Sequence, residues 1–375
     1  MLALFLFCLL AATYSYFWYP LLLVLLPSRT RISADLRCVD KIAVIIAARN
    51  EAEKISHKLD NSLALVRDKF TVDLVVASDA SDDETDSIVL SYANRGIRLV
   101  RSPVRRGKEH AQGLAVASID ADVIVFTDTG TTLPADALLR VRDAFQDSTI
   151  GAVSSVDKFV TADGSLQGEG AYVRYEMWLR DLESRYDSLV GLSGSFFAAR
   201  REVCQRWDDR VQSDFGTALN CVALGFRAVS DRRLVGYYKD ISDTSKEYQR
   251  KVRTITRGMN SLRIRVEVLN FIRFGRFSFE VLSHKVMRWA TPWFLLGALG
   301  ANVALASRGA WYQLLLAAQF AFYLAPFASR LLPVLRDFAL PRIGIYFVEA
   351  NLAILHATAL VLAGRTILTW EPSKR

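Results

Sequence analysis

The first 26 residues carry no charged side chain, and apolar stretches return near 290–306, 309–328 and 345–363, the last interrupted only by Glu349. A bilayer core needs roughly 20 helical residues, so each stretch is long enough to span. Within hydrocarbon the backbone must satisfy its own polar groups, which restricts these stretches to helices. Buried core helices rarely run so long with so little charge. The first stretch has no positive region before it and too long an apolar run for a cleaved signal, so a retained anchor is expected. The chain is 51% hydrophobic, and these stretches hold much of that excess.

The net charge of +8 is concentrated in one place. Between Lys246 and Trp289 lie eleven Lys and Arg against three acids, a surplus as large as that of the whole chain. A basic segment ahead of a span points to membrane lipids with anionic headgroups, or to phosphates. Nucleic acid would also answer to positive charge, but no nucleic-acid module is visible and none is expected as a partner. Phe279, Leu282, Val286 and Trp289 form an apolar stripe opposite His284, Lys285 and Arg288, as in an interfacial helix. The four cysteines show neither pairing nor metal spacing, which suits a reducing cytosolic face. Arg29 and Arg31 follow the first span and Arg330, Arg336 and Arg342 separate the last two. The positive-inside rule therefore places residues 30–288 in the cytoplasm. Arg365, Lys374 and Arg375 pull the tail the opposite way.

The polar part alternates strands and helices. Lys41–Ala48 reads as a buried strand, with a charged helix from Asn50-Glu51 to about Val66. Strands follow at Val72–Ser78 and Ile97–Val100, then a helix over Lys108–Ser118 and a strand at Val123–Phe126. This order predicts an α/β fold with a mostly parallel sheet. Tyr172, Tyr175, Trp178/Leu179 and Leu182 recur at helical spacing. A short strand at Gly194–Ala198 and a helix near Phe215–Leu224 complete the domain.

Three acids stand out. Asp79 and Asp128 end apolar strands, where open parallel sheets bind ligands. Asp214 precedes the last helix. Each alone is more often a turn or cap residue, but two of them should point into one crevice. Between them Arg105-Arg106-Gly107-Lys108 opens a helix, and a basic, glycine-bearing helix start favours anions. Beside the acids, that suggests a nucleotide diphosphate.

The segments Val44-Ile-Ile-Ala-Ala-Arg-Asn-Glu51, Asp79-Ala-Ser-Asp-Asp-Glu-Thr85, Arg106-Gly-Lys-Glu-His-Ala-Gln-Gly113 and Phe126-Thr-Asp-Thr-Gly130 together resemble the ordered motifs of membrane-bound family-2 glycosyltransferases. Arg174-Tyr-Glu176, Gly191-Leu-Ser-Gly-Ser195, Ser213-Asp-Phe215, Tyr248-Gln-Arg-Lys-Val-Arg-Thr254 and Ser283-His-Lys-Val-Met-Arg-Trp289 extend the resemblance over about residues 41–290. It implies a Rossmann-like GT-A fold and a nucleotide-sugar donor. Glu51 and Asp79 would hold the uracil and ribose of a UDP-type donor, with Lys108 beside the nucleotide. Asp128 matches the first acid of an Asp-x-Asp motif that binds Mg²⁺ or Mn²⁺. Asp214 matches the general base, and Gln249, Arg250 and Arg253 match a segment near the leaving diphosphate. Gly194 and Ser195 would bound the acceptor site. Two positions depart from the pattern. Gly130 replaces the second metal acid, and Thr254 replaces a tryptophan found in processive synthases.

The expected organisation is an N-terminal anchor at 1–28 and a catalytic domain at 40–258, divided near 133 into donor and acceptor halves. A basic interfacial segment at 259–289, spans within 290–364 and a tail at 365–375 follow. The expected activity is inverting, metal-dependent transfer of a sugar to a lipid-linked or nascent polysaccharide acceptor at the cytoplasmic face of the inner membrane, with partners of a glycan-synthesis complex possible. The competing readings are a membrane-anchored nucleotidyltransferase and a non-catalytic GT-A subunit of a glycan-synthesis complex.

Overall fold

The computed structural model describes residues 1–29, 37–160, 171–239, 244–332, 334 and 338–366. The chain divides into two units. One comprises Leu26–Ser242, Asn260–Ser278 and Ile367–Arg375, and it holds a seven-stranded sheet. The strands are β1 (Lys41–Ala48), β2 (Thr71–Ser78), β3 (Ile97–Arg101), β4 (Val123–Asp128), β5 (Ile150–Val160), β6 (Phe196–Arg200) and β7 (Arg227–Lys239). Their order is β3-β2-β1-β4-β6-β5-β7.

The first four strands pair in parallel, and helices Ala52–Leu63, Thr85–Ser91 and Lys108–Ala117 connect them. Along β1, Ile42, Val44 and Ile46 enter one apolar cluster while Ala43 and Ile45 enter the other. Both faces are therefore covered, the usual condition of a parallel sheet. Fully burying one such branched side chain contributes roughly 1.5–3 kcal/mol, so these central strands anchor the unit. The register aligns Ala48 with Ser78 and Ala47 with Asp128. That alignment sets Arg49, Asp79 and Asp128 along one edge of the sheet.

The mostly parallel sheet agrees with expectation, and its far half adds detail. β6 runs antiparallel between β4 and β5, and β5 pairs in parallel with the edge strand β7. β6 begins at Phe196, so Gly194 and Ser195 lie in the turn before it. Helix Ser213–Ala223 includes Asp214 in its first turn, whereas the sequence places this acid just ahead of the helix.

The other unit comprises Met1–Leu25, Asp243–Met259 and Phe279–Thr366. Leu2–Leu25, Arg276–Arg308 and Pro341–Leu362 are long and apolar enough to cross a membrane. Helix Ala310–Leu331 has 22 residues and is not among these three. Gln319 accepts from Asn302 at 3.0 Å and donates to Tyr323 at 2.9 Å, and Tyr323 donates to the Leu295 carbonyl at 3.0 Å. Such polar links hold helices together where the hydrophobic effect offers little.

The expected boundary at 258 falls inside one helix, Thr244–Ile264. The stripe residues Phe279, Leu282, Val286 and Trp289 lie within the span Arg276–Arg308. Its buried residues are both apolar and polar: Phe277 and Val281 beside Ser278, Glu280, Ser283 and His284. A π-helical turn lies at Leu282–Val286, and a second lies at Tyr14–Trp18. The two turns meet where Ser15 Oγ donates to the Ser283 carbonyl at 2.8 Å and Tyr14 Oη lies 3.0 Å from Ser283 Oγ. Arg31, Arg336, Lys374 and Arg375 lie outside the described residues.

Candidate active site

Strand ends and the loops after them build the site. After β1, Asn50 adopts φ +51°, and after β2, Ala80 adopts φ +54°. Non-glycine residues seldom occupy this region, and they persist there when their surroundings hold them. Arg49, 7% exposed, supplies the hold. Its guanidinium donates to the carbonyls of Asp79 and Ala80 and to Asp82 Oδ2 at 2.8 Å. Asn50 closes the same latch, donating to Asp82 Oδ1 at 2.6 Å. Glu51 is buried, its N–H donates to Thr85 Oγ1 at 2.8 Å, and it starts the helix Ala52–Leu63.

Asp79 organises the basic loop. Its carboxylate accepts from the N–H groups of Arg106, at 2.9 Å, and Gly107, at 3.0 Å. Gly107 has φ +105°, a conformation open to glycine and costly for other residues. The turn delivers Lys108 as the first residue of its helix. Lys108 Nζ donates to Asp128 Oδ1 at 2.5 Å and to the Gly194 carbonyl at 3.0 Å. Burial opposes its charge, but Asp128, Glu109 and Asp214 together hold Lys108 above the ordinary lysine range. It is therefore a cation at neutral pH, facing three acids.

Asp214 faces the same crevice. Its Oδ1 accepts from the Phe215 N–H at 2.8 Å, and its backbone carbonyl accepts from Leu192. Its Oδ2 lies 3.0 Å from where a β-carbon on Gly194 would stand. Glycine there leaves the approach to the carboxylate open. Ser195 meets the site twice: its carbonyl accepts from the Asp128 N–H at 3.1 Å, and its hydroxyl donates to Asp157 Oδ1 at 2.6 Å. Ser193 donates to both oxygens of Asp157.

Asp79, Lys108, Asp128, Gly194, Ser195 and Asp214 thus converge in one unit, with Glu51 at the neighbouring strand end. Gln249, Arg250 and Arg253 lie on helix Thr244–Ile264, in the part assigned to the other unit. The sequence alone missed Arg49, Asp157 and Lys58. Lys58 is 1% exposed, and its Nζ donates to Thr127 Oγ1 at 2.9 Å and to the Thr131 carbonyl at 2.5 Å. Burial, partly opposed by the pull of Asp128, lowers its pKa from 10.5 to about 7. A signal for it existed: Lys58 shares the buried face of its helix with Ile55, Leu59 and Ser62.

Asp128 is the one carboxylate of its motif, since Gly130 has no side chain. Among the described residues no group of three or more His, Cys, Asp or Glu side chains is placed to hold a metal ion. A single carboxylate still suits Mg²⁺ or Mn²⁺ when phosphate oxygens and water complete the shell. The residues fit an ion that arrives with a diphosphate and not one caged by protein alone.

Residues 43–207 match the family model described as Glycosyl transferase family 2. The hyaluronan synthase of Streptococcus pyogenes is 28% identical over 216 residues, covering 54% of this chain and 50% of that protein. A dolichyl-phosphate beta-glucosyltransferase of Trichomonas vaginalis is 26% identical over 133 residues, covering 31% of this chain and 41% of its own length. The chain thus spans about half the length or less of these curated relatives. The mannosyltransferase PcManGT from Pyrobaculum calidifontis, solved with GDP-Man and Mn2+, superposes with a TM-score of 0.74 at 23% identity over 97% of this chain and 99% of that one. At that identity the likeness is one of fold, the GT-A arrangement. Residues 43–207 match a glycosyl transferase family 2 domain, in a chain whose described residues include three helices long and apolar enough to cross a membrane.

Proposed function

We propose that the protein moves a sugar, with inversion, from a nucleotide-sugar donor to a hydroxyl of a lipid-linked or nascent glycan acceptor at the cytoplasmic membrane face. One observation carries this reading. Lys108 is clamped between Asp128 and the Gly194 carbonyl while Asp214 opens onto the other side of Gly194. A diphosphate-binding cation and a candidate base therefore flank one glycine.

The roles follow from chemistry. The acceptor oxygen attacks the anomeric carbon and its proton passes to Asp214 Oδ2. The bond between that carbon and the diphosphate oxygen breaks on the opposite face, which inverts the centre. General base assistance of this kind is worth about 10²–10⁴-fold. Lys108 lies beside the oxygen on which negative charge grows, in a partly water-excluded setting where such stabilisation is strong. A divalent ion held by Asp128 would add positive charge to the leaving diphosphate. Asp79 keeps the Lys108 loop in place, and Glu51 lines the nucleoside end. Ser195, fixed by Asp157, bounds the acceptor side with Gly194. Gln249, Arg250 and Arg253 are assigned to the leaving diphosphate on their motif alone. Because PcManGT was solved with GDP-Man and Mn2+, guanosine donors belong in the test beside the uridine donors that the motifs suggest.

The test is nucleoside diphosphate release from the purified full-length chain, offered UDP- and GDP-sugars with Mn²⁺, with Mg²⁺ or with EDTA. Release from one donor class, reduced by EDTA, is the expected result. Failure of every donor to bind or turn over would refute the reading.

A further inference from the structure

A cleft of about 610 Å³ lies toward the opposite end of the sheet from Asp128, near the starts of β5 and β7. That volume is typical of small-molecule sites. Helix Ala171–Tyr186 provides one wall and β7 the other. Between the pairs Ser154–Ser230 and Val156–Val235, β5 advances two residues and β7 advances five. The three extra residues make a bulge on an edge strand, a feature that re-aims side chains. The bulge is tied on both sides. Arg232 pairs with Asp181 of the helix, Arg233 closes on Asp231 at 2.7 Å, and the Arg233 carbonyl accepts from Arg140 at 2.5 Å.

The chemistry of the lining selects a class of ligand. Four aspartates stand against three arginines, so the cleft is slightly acidic and disfavours anions. Its acids do not form a metal cluster among the described residues. Arginine–carboxylate pairs offer planar donors and acceptors suited to hydroxyl groups. The Ser230 hydroxyl, also in the lining, has no hydrogen-bond partner among the described residues. Trp178, 40% exposed, gives the cleft a broad apolar face, the amphipathic surface favoured in binding. A neutral, hydroxyl-rich molecule with an apolar ring face meets all of these demands.

Two more rings continue the surface. Tyr175 lies 6.1 Å from Trp178 and Tyr172 lies 6.5 Å from Tyr175, spaced about 4.5 Å along the helix axis. Helix numbers fall as β7 numbers rise, since Ser184 meets Ser230 and Asp181 meets Arg232. The ladder therefore climbs from the cleft toward the C-terminal ends of β5 and β7, the side that carries Asp157 and its bonds to Ser193 and Ser195.

We propose that this cleft is a second saccharide site, separate from the crevice at Asp128 and Asp214. Trp178 stacks on a sugar ring, and the Tyr175–Tyr172 ladder carries a longer glycan toward the transfer site. The proposal goes beyond the transferase reading, and nucleotide binding tests that reading separately.

The experiment uses the full-length protein in an amine-oxide detergent, whose headgroup is not a sugar. It is titrated by calorimetry with malto-, cello- and chito-oligosaccharides, from mono- to hexasaccharides. At least one series should bind, more tightly as it lengthens. Trp178→Ala should weaken binding about tenfold or more, as loss of an anchoring tryptophan does. Trp178→Phe should weaken it less, and Tyr175→Ala should flatten the gain with length. Nucleoside diphosphate titrated into the same variants should bind as in the wild type, which separates a lost sugar site from a lost fold. The proposal is overturned if no series binds, if binding ignores Trp178, or if nucleoside diphosphate displaces the sugar.

Discussion

Two lysines share the field of Asp128 and respond in opposite ways. Lys108 touches the carboxylate and stays charged, while Lys58, sealed beneath the strand end, has its pKa lowered to about 7. The sign of the pH effect follows. Unfolded Lys58 holds its proton up to about pH 10.5, whereas the folded protein releases it near 7. Its contribution to stability is complete above pH 10.5 and is lost as the pH falls through 7. Against a Lys58→Met variant, which has nothing to titrate there, the wild type should gain stability across that window by at most about 1.4 kcal/mol per pH unit. Melting curves recorded at each pH would contradict this if the gap stayed constant. Asp214→Asn keeps the shape of the side chain and removes the base, so turnover should drop by about 10²–10⁴-fold while nucleotide affinity holds. Wild-type turnover in that variant would end the assignment. Asp79, Lys108, Asp128 and Asp214 were legible in the sequence because each lies in a short motif at a strand or helix end. Lys58, Arg49 and Asp157 were not, because their partners lie on other elements: Lys58, on a helix, bonds to Thr127 and Thr131, which are 69 and 73 residues away in sequence.

At the scale of elements, the helix Lys108–Ala117 shows how packing can reverse a propensity. Gly113 lies in its middle, where alanine would ordinarily stabilise a helix by about 1 kcal/mol. A β-carbon there would stand 2.8 Å from Cδ1 of Trp207, whose ring stacks on Phe126 of β4 at 5.1 Å and whose Nε1 donates to the Glu109 carbonyl. The ring cannot yield without disturbing the strand that ends on Asp128. Gly113→Ala should therefore destabilise by about 1–3 kcal/mol, the usual cost of overpacking, and a raised melting temperature would show the argument wrong. β1, β2 and β4 were legible because each is a run of apolar residues covered on both faces. β5 and β7 were not. Ser154, Ser155 and Asp157 interrupt the first, and the charged bulge Asp231-Arg232-Arg233 interrupts the second, so neither shows a clean strand period. The antiparallel direction of β6 has no signature in its own five residues.

At the scale of the whole molecule, orientation in the membrane is open to direct test. Cys38 is exposed, while Cys8, Cys204 and Cys221 are buried, and burial raises the thiol pKa of Cys204 and Cys221. A membrane-impermeant maleimide should therefore modify Cys38 selectively, and should do so in inside-out vesicles but not in intact cells. Labelling of intact cells would reverse the proposed topology. The basic residues that carry the net charge also divide between the two units, since the boundaries at Met259 and Phe279 cut through that segment. By itself the sequence determined the kinds of element and their order, spans of helix length and an α/β domain with acids at its strand ends, because hydrophobic period and turn chemistry are local properties. Tertiary structure alone decided which groups act on one another. Lys108 reaches the Gly194 carbonyl across 86 residues of chain, and Ser283 meets Ser15 across 268. Such contacts depend on how separate elements pack, and no short window of sequence contains both partners.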